Sequence, residues 1–123
     1  MAYVTSKKSN VDQLIGGTAV AALTKNITLK GLEAEKTLKR GAVLAVSEGK
    51  YQIVDAASQT SALKVANAVL AEDVVVGTSD VVATVYISGI FNAEEMTVGS
   101  GSDSVQAHEE ELRVVGIYLT HLQ

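Results

Sequence analysis

The sequence predicts a mainly β domain of the α+β class. We expect a compact, β-barrel-like body with one short helix in its C-terminal half and an extended N-terminal arm. Apolar residues make up 47% of the 123 residues, yet the only aromatic residues are four tyrosines and one phenylalanine. The core must therefore be built from Val, Ala, Leu and Ile, whose β-branched members favour strands. Short apolar runs separated by turns rich in Gly, Ser and Asp support the same fold class.

By length the chain forms one domain, with residues 1–17 as a flexible arm and residues 18–123 as the β-rich body. Residues 1–12 are polar, and their isolated apolar side chains follow neither a helical period nor a strand alternation. Gly16 and Gly17 argue against a continuous helix after them, because each costs about 1 kcal/mol relative to Ala in a helix interior. The arm is either a frayed terminus or a segment that orders only on a partner.

The β pattern begins at "NITL", where Ile27 alternates with Leu29. The charged "LEAEK" connects this strand to the next one, "LKRGAVLAV". Gly41 lies inside that run, which indicates either a bulge or the close approach of another backbone.

A hairpin turn is predicted at "SEGK", residues 47–50, where Gly49 supplies the positive φ that a tight turn needs. The returning strand "KYQIV" places Tyr51 and Ile53 on one face. Residues 64–71, "KVANAVLA", fit either a strand or a helical turn, because periodicity does not separate the two in so short a run.

The longest predicted strand is "VVATVYISGIF", residues 81–91, in which β-branched residues dominate. Its apolar side chains fall on both faces, which is typical of a strand in a barrel or at a subunit interface. The run therefore predicts an oligomer, and the predicted contact between subunits uses Val82, Tyr86, Ile90 and Phe91.

A short helix is predicted at about residues 104–114, and the final strand is "VGIYLTHL". Asp103 and Gln106 have the spacing of a capping box, which would begin the helix. The acidic residues 109–111 are expected on the wet face of the helix. The inward stripe is predicted to consist of Val105, His108, Leu112 and Val115.

Charge is unevenly distributed along the chain, whose net value is −4. Residues 1–50 contain eight Lys/Arg and four Asp/Glu, a sum of +4, whereas residues 51–123 contain two and ten, a sum of −8. The basic half is modest and nearly all lysine, so we expect no nucleic-acid partner. The asymmetry fits a basic end that meets an acidic protein surface, or neighbouring subunits whose ends attract each other.

The stretch most apolar near the N-terminus, "LIGGTAVAAL", is too short to cross a bilayer. Asp12 interrupts the segment between the lysines and this run, and no cleavage site follows, so we expect no signal peptide. A soluble protein with no membrane partner is therefore expected. The absence of cysteine excludes disulfides and thiolate metal sites.

The stretch "VGSGSDSVQAHEEEL", residues 98–112, suggests a phosphate or metal site at first sight. A Walker loop needs a lysine and a hydroxyl after its glycines, and neither follows here. A zinc-protease helix carries a second histidine four residues after the first, whereas Leu112 stands four residues after His108. We therefore expect His108 to be bonded locally, and we expect no metal, no cofactor and no catalytic residue.

Six segments, in chain order, resemble the head decoration proteins of tailed bacteriophages, of the lambda head-decoration type: "ALTKNITL", "LKRGAVLAV", "GKYQIV", "AVLAEDV", "VVATVYISGIFNAEEM" and "ELRVVGIYL". The resemblance covers about residues 17–119. Its most specific part is the ending, "GIFNAEEM" followed by "HEEELRVVGIYL". One departure is that this chain has no proline, whereas members of the family often carry several.

The resemblance implies a structural protein of the virion, made in the host cytoplasm, without enzymatic activity. Such proteins form homotrimers outside the expanded head at three-fold positions, where they clamp the major capsid protein against DNA pressure. The arm would add as a strand to an element of the capsid. Its lysines would steer the arm to the capsid, and its apolar side chains would anchor it there. The predicted arm residues are Tyr3, Val4, Lys7, Lys8, Val11, Leu14 and Ile15.

Two alternatives belong to other classes of protein. A small ligand-binding or carrier β-domain would need a modified lysine, such as Lys64 or Lys50, or a pocket with convergent polar groups. Another virion component, such as a fibre or tail protein, is the third possibility.

Overall fold

The computed structural model describes residues 14–17, 19–99 and 103–120 of the chain. Within these ranges the chain forms ten strands, one short α-helix and three 3₁₀ turns. The strands are β1 (Ile15–Gly17), β2 (Thr24–Leu29), β3 (Lys36–Leu38), β4 (Val43–Ser47), β5 (Lys50–Ile53), β6 (Ala68–Leu70), β7 (Val74–Val76), β8 (Val81–Tyr86), β9 (Gly89–Asn92) and β10 (Ile117–Thr120). The helical segments are α1 (Glu109–Val114) and the 3₁₀ turns Ser61–Lys64, Ala93–Glu95 and Gln106–His108.

Five of the strands close into a barrel in the order β2-β5-β4-β6-β8, with β8 returning to β2. All neighbours in the barrel are antiparallel except β2 and β5, which are parallel and meet where Leu29 lies opposite Tyr51. Closure removes the free edges that an open sheet would expose. The prediction of a mainly β, barrel-like domain with one short helix is confirmed.

Two smaller sheets complete the fold. In the three-stranded sheet, β9 lies between β1, which is antiparallel to it, and β10, which is parallel to it. The other sheet consists of β3 and β7 alone. No helix in the described part of the chain is long and apolar enough to span a membrane.

The barrel core and a second core hold the buried apolar side chains, and β4 lies between them. The barrel core consists of Ile27, Leu29, Leu38, Ala42, Leu44, Ala68, Leu70, Val76, Ala83 and Val85. The second core consists of Leu14, Val43, Ala45, Val54, Ala66, Val69, Phe91, Ala93, Met96, Val105, Leu112 and Ile117. Leu44 therefore faces one core, whereas Val43 and Ala45 face the other.

The prediction of one continuous strand over residues 81–91 is wrong. β8 ends at Tyr86, and β9 begins at Gly89 in a different sheet. On β8 the side chains of Ala83 and Val85 are buried, whereas Val82 is 67% exposed. This strand thus has one buried face and one wetter face, whereas β4 and β6 contribute buried side chains to both cores.

The predicted turn at residues 47–50 is confirmed. Ser47 pairs with Lys50, and Glu48 and Gly49 between them have φ of 53° and 84°, as a two-residue hairpin loop requires. The predicted close approach at Gly41 is also present, because its φ is +100° and a Cβ there would collide with the Glu95 carbonyl oxygen. Residues 64–71 contain the end of a 3₁₀ turn and then the short strand β6.

Candidate functional site

The first described residues are held firmly in the body of the protein. Leu14 is 2% exposed, and its carbonyl oxygen accepts a hydrogen bond of 2.6 Å from the backbone N–H of Asn92. Ile15 pairs with Phe91 across the β1–β9 ladder. The structure thus places two of the predicted arm residues, Leu14 and Ile15, inside the domain. The other predicted arm residues lie outside the described residues: Tyr3, Val4, Lys7, Lys8 and Val11.

The four residues predicted for a contact between subunits do not share one surface. Val82 is exposed on β8, and Tyr86 and Ile90 are partly buried. Phe91 is fully buried in the second core, where its ring lies 5.0 Å from that of Tyr86 between centroids. The Phe91 side chain is therefore not available at the surface of the domain.

Arg40 connects the turn after β3 to the end of β8. Its Nη1 donates hydrogen bonds of 2.9 Å to the carbonyl oxygen of Ala71 and 2.8 Å to the hydroxyl of Tyr86. Its guanidinium carbon lies 5.4 Å from the centre of the Tyr86 ring, within the range of a cation–π contact. The backbone N–H of Arg40 is held by the Asp73 carboxylate at 2.8 Å. The hydroxyl of Tyr86, a residue predicted for a subunit contact, therefore has a partner inside its own domain.

His108 lies between two carboxylates at the start of α1. The side chain is 3% exposed; its Nε2 is 2.6 Å from Asp103 Oδ2, and its Nδ1 is 2.6 Å from Glu111 Oε1. An ionised carboxylate can only accept hydrogen bonds, so both ring nitrogens donate. The geometry therefore suits an imidazolium held by two carboxylates.

The same two carboxylates reach other segments of the chain. Asp103 Oδ2 also accepts a hydrogen bond of 3.2 Å from the backbone N–H of Ala56. Glu111 Oε1 also accepts one of 2.8 Å from the backbone N–H of Ala66. The cluster consequently ties the helix to the loop after β5 and to the segment before β6. We call Asp103, His108 and Glu111 the histidine clamp.

Hydrogen bonding within the histidine clamp determines its protonation. Burial disfavours the charged imidazole, but the hydrogen bonds to Asp103 and Glu111 outweigh burial and raise the pKa of His108 above its ordinary value. Burial likewise acts against the Asp103 carboxylate. The hydrogen bonds from His108 and from the Ser104 backbone outweigh it and hold the pKa of Asp103 below its usual range. Both shifts favour the ion pair.

The beginning of the helix differs from the prediction. Ser104, rather than Asp103, accepts the capping hydrogen bond, at 3.2 Å from the backbone N–H of Ala107 to the serine Oγ. The Asp103 carboxylate instead serves His108, and Glu111 is not on the wet face because it completes the histidine clamp. The local bonding predicted for His108 is confirmed.

The geometry of the histidine clamp argues against metal binding and catalysis at this position. Its two carboxylates face opposite nitrogens of the ring, so they do not converge on one ion. Within residues 14–17, 19–99 and 103–120 no three His, Cys, Asp or Glu side chains are grouped to hold a metal ion. Neither ring nitrogen is directed at a serine or threonine hydroxyl, as a general base for nucleophilic catalysis would be.

One family model matches this sequence: the model of the bacteriophage lambda head decoration protein D family matches residues 3–117. The chain belongs to this family. A comparison with curated proteins found no match. The resemblance that six segments of the sequence suggested is therefore confirmed.

Membership in the decoration protein family indicates the class of protein and its location. The family is one of structural capsid proteins and not of enzymes, and membership implies a location on the virion capsid and binding to the phage head. The match extends from residue 3, so it includes residues 3–17 of the segment predicted as an arm.

The two lysines considered for a carrier module have ordinary surroundings. Lys50 forms a salt bridge of 2.6 Å with Asp80, and Lys64 is exposed at the end of a 3₁₀ turn. The sequence could have indicated only part of the histidine clamp, since positions 108 and 111 lie on one face of a helix. The approach of Asp103 depends on the loop before the helix, which no periodicity predicts.

Proposed function

We propose that this decoration protein is a homotrimer that binds outside the expanded phage head at three-fold positions. There it clamps neighbouring subunits of the major capsid protein and stabilises their lattice against the pressure of internal DNA. The observation that carries this proposal is the family match over residues 3–117, which covers both the arm and the body. The chain would be made in the host cytoplasm and added to the head there.

The proposed capsid contact is the segment that precedes Leu14. Tyr3, Val4 and Val11 would supply apolar anchors, and Lys7 and Lys8 would steer the segment to an acidic surface. An added strand takes its affinity from main-chain hydrogen bonds and its selectivity from alternate side chains. Three arms on one trimer would raise the overall affinity without strong individual contacts.

The burial of Leu14 supports an arm that leaves the body just before this residue. Leu14 and Ile15 support the arm from inside the domain, so we set the boundary of the proposed arm at residue 13. A fixed exit point beside β9 also limits the search volume of each arm, which favours binding of the second and third arms.

The proposed trimer would cover apolar side chains that a single copy leaves exposed. Val114 is 86% exposed and lies beside Tyr118 in a shallow depression, and Val82 is 67% exposed on β8. Single exposed apolar residues are ordinary on monomers. The trimeric state is therefore inferred from the family assignment and not from this exposure. Among the residues predicted for the subunit contact, Val82 offers the most surface, and Tyr86 and Ile90 offer less.

Deletion of residues 2–13 tests the arm. The truncated protein should fold and form trimers, because Leu14 and the β1–β9 ladder are kept, but it should not bind expanded heads in a sedimentation assay. The matched control replaces residues 2–13 by Gly and Ser at the same length. A truncated protein that decorates heads as the intact protein does would disprove the arm contact, and a monomer in light scattering over a wide concentration range would disprove the trimer.

A further inference from the structure

A narrow apolar slot opens at one end of the barrel, among residues of β2, β3, β5 and β7. Its floor is formed by Leu38 and Val76, which belong to the barrel core. Its walls include Leu32, Tyr51 and Ile53, which are only partly buried and pack against that core. The slot thus exposes an edge of the barrel core to solvent.

Two lysines line the rim of this slot, which is otherwise apolar apart from Gln52. Lys30 and Lys36 are both exposed, and within the described residues neither forms a salt bridge and no acidic side chain lines the slot. Among the other described lysines of residues 1–50, Lys50 pairs with Asp80 at 2.6 Å and Lys39 with Asp73 at 3.8 Å, whereas Lys25 is exposed without a salt bridge. The rim of the slot therefore carries two positive charges, and no carboxylate is among its described lining residues.

The dimensions of the slot suit a side chain better than a cofactor. Its volume is about 90 Å³, whereas small-molecule sites hold roughly 300–1,000 Å³. Burial of an aliphatic side chain on the apolar floor would supply free energy. Carboxylates on either side of that side chain would complement the two ammonium groups and speed the encounter.

We propose that this slot docks an apolar side chain flanked by Asp or Glu on an extended segment of the major capsid protein. This inference rests on the proposed function and adds a second contact to the arm. The two lysines belong to the half of the chain whose charge sums to +4, and the proposed arm carries Lys7 and Lys8 as well. Arm and slot thus present the same sign of charge to one acidic partner surface.

Charge reversal tests the slot in the intact chain. The double variant Lys30→Glu/Lys36→Glu should bind expanded heads lacking their own decoration protein about 10-fold more weakly than the unchanged protein. Its control, Lys25→Glu/Lys64→Glu, makes the same change of net charge on exposed lysines outside the slot. Equal affinity of the two double variants would overturn the proposal. A loss of binding confined to the slot variant, with unchanged unfolding and trimer size, would support it.

A peptide probe separates this inference from the proposed function. The peptide acetyl-Glu-Leu-Asp-amide, added at millimolar concentration to the ¹⁵N-labelled protein, should shift the backbone amide signals of Lys36, Leu38 and Tyr51. The shifts should vanish in Lys30→Glu/Lys36→Glu and persist in the control. If the unchanged protein does not bind heads, the proposed function fails, and these shifts alone then decide whether the slot takes acidic-apolar segments.

The acidic helix of a second copy is the competing occupant of the slot. If it docks there, the Lys30→Glu/Lys36→Glu variant will have a smaller oligomer in light scattering than the control variant. That result would overturn the capsid segment as the occupant, whereas an unchanged oligomer together with weaker binding to heads supports it.

Discussion

The imidazole of His108 and the carboxylate of Asp103, five residues apart in sequence, meet inside the domain with Nε2 2.6 Å from Oδ2. Glu111 approaches the other ring nitrogen at the same distance, so the charged histidine is compensated on both sides. Removing one partner of a buried ion pair is strongly destabilising, because it leaves the other charge buried without compensation. The histidine clamp therefore predicts how stability depends on pH and on each of its members.

The free energy of unfolding should fall as the pH rises above about 6.5, the pKa of an unfolded histidine. The folded pKa of His108 is raised, so above pH 6.5 the folded state holds a proton that the unfolded state has lost. This stabilisation is complete below pH 6.5 and disappears as the pH passes the folded pKa. Urea unfolding at a fixed protein concentration across pH 5–10 measures it, and His108→Gln should flatten this decline. A decline of the same size in His108→Gln would contradict the assignment.

Acid should also destabilise the protein, because at Asp103 the unfolded state takes up a proton more readily than the folded state. The pKa of Asp103 is lowered in the folded state, so its contribution is present above the unfolded value of about 3.9. It is lost as the pH falls through the folded pKa. The variant Asp103→Asn should be less stable at pH 6 by about 3 kcal/mol and should lose less of its stability between pH 5 and pH 2. A decrease as steep as that of the unchanged protein would count against the ion pair.

Neighbouring glutamates on α1 provide a matched comparison. Glu111→Gln removes a charge that contacts His108, so the pKa of His108 should fall and stability should drop by about 1–2 kcal/mol. Glu110→Gln removes an exposed charge that forms a salt bridge of 3.2 Å with Arg113, and it should leave both unchanged. Titration of the His108 ring protons by NMR, with urea unfolding, measures the two effects. Equal shifts of the His108 pKa in the two variants would show that the overall charge of the helix, and not the contact with Glu111, raises this pKa.

Loss of the Tyr86 hydroxyl should weaken the contact between Arg40 and β8. In Tyr86→Phe the guanidinium loses an acceptor at 2.8 Å, and we expect a destabilisation of about 1–2 kcal/mol. The control is Tyr118→Phe, which removes a hydroxyl from a tyrosine that is 40% exposed. Thermal and urea unfolding should separate the two variants, and equal stabilities would assign no net contribution to the Arg40–Tyr86 bond.

Two glycines with positive φ should respond differently to alanine. Gly49→Ala should cost about 1–2 kcal/mol, the strain of a left-handed residue, because no atom lies within 4 Å of the new Cβ. Gly41→Ala should cost more than this, since it adds a collision with the Glu95 carbonyl oxygen to the same strain. Urea unfolding of both variants measures the difference. Equal losses would mean that the backbone near Glu95 relaxes without cost.

Features determined by local chemistry could be predicted from the sequence. The hairpin at residues 47–50 follows from a glycine placed where a two-residue loop needs positive φ. The inward stripe of the helix follows from its period, and Leu112 and His108 are buried as expected.

Features that depend on distant parts of the chain were not predictable in this way. The pattern of β-branched residues continues through residues 81–91, yet the strand breaks at Ser88. The hydroxyl of Ser88 donates to the carbonyl of Ala21 at 2.7 Å and accepts from the backbone N–H of Leu23 at 3.3 Å. Those partners are 67 and 65 residues away in sequence, so no local window contains them.

The pairing of β1 with β9 also defines a mechanical load path. In the proposed function, tension on the arm would enter the body at Leu14, whose carbonyl bonds to Asn92 and whose side chain lies in the second core. From β9 the load would pass to β10 across the parallel ladder from Ile117 to Thr120. The hydrogen-bonded ladders of the barrel lie outside this backbone route. The barrel would receive load only through side chains of the second core, such as Val43 and Ala45 of β4, so a pulled arm would strain the small sheet first.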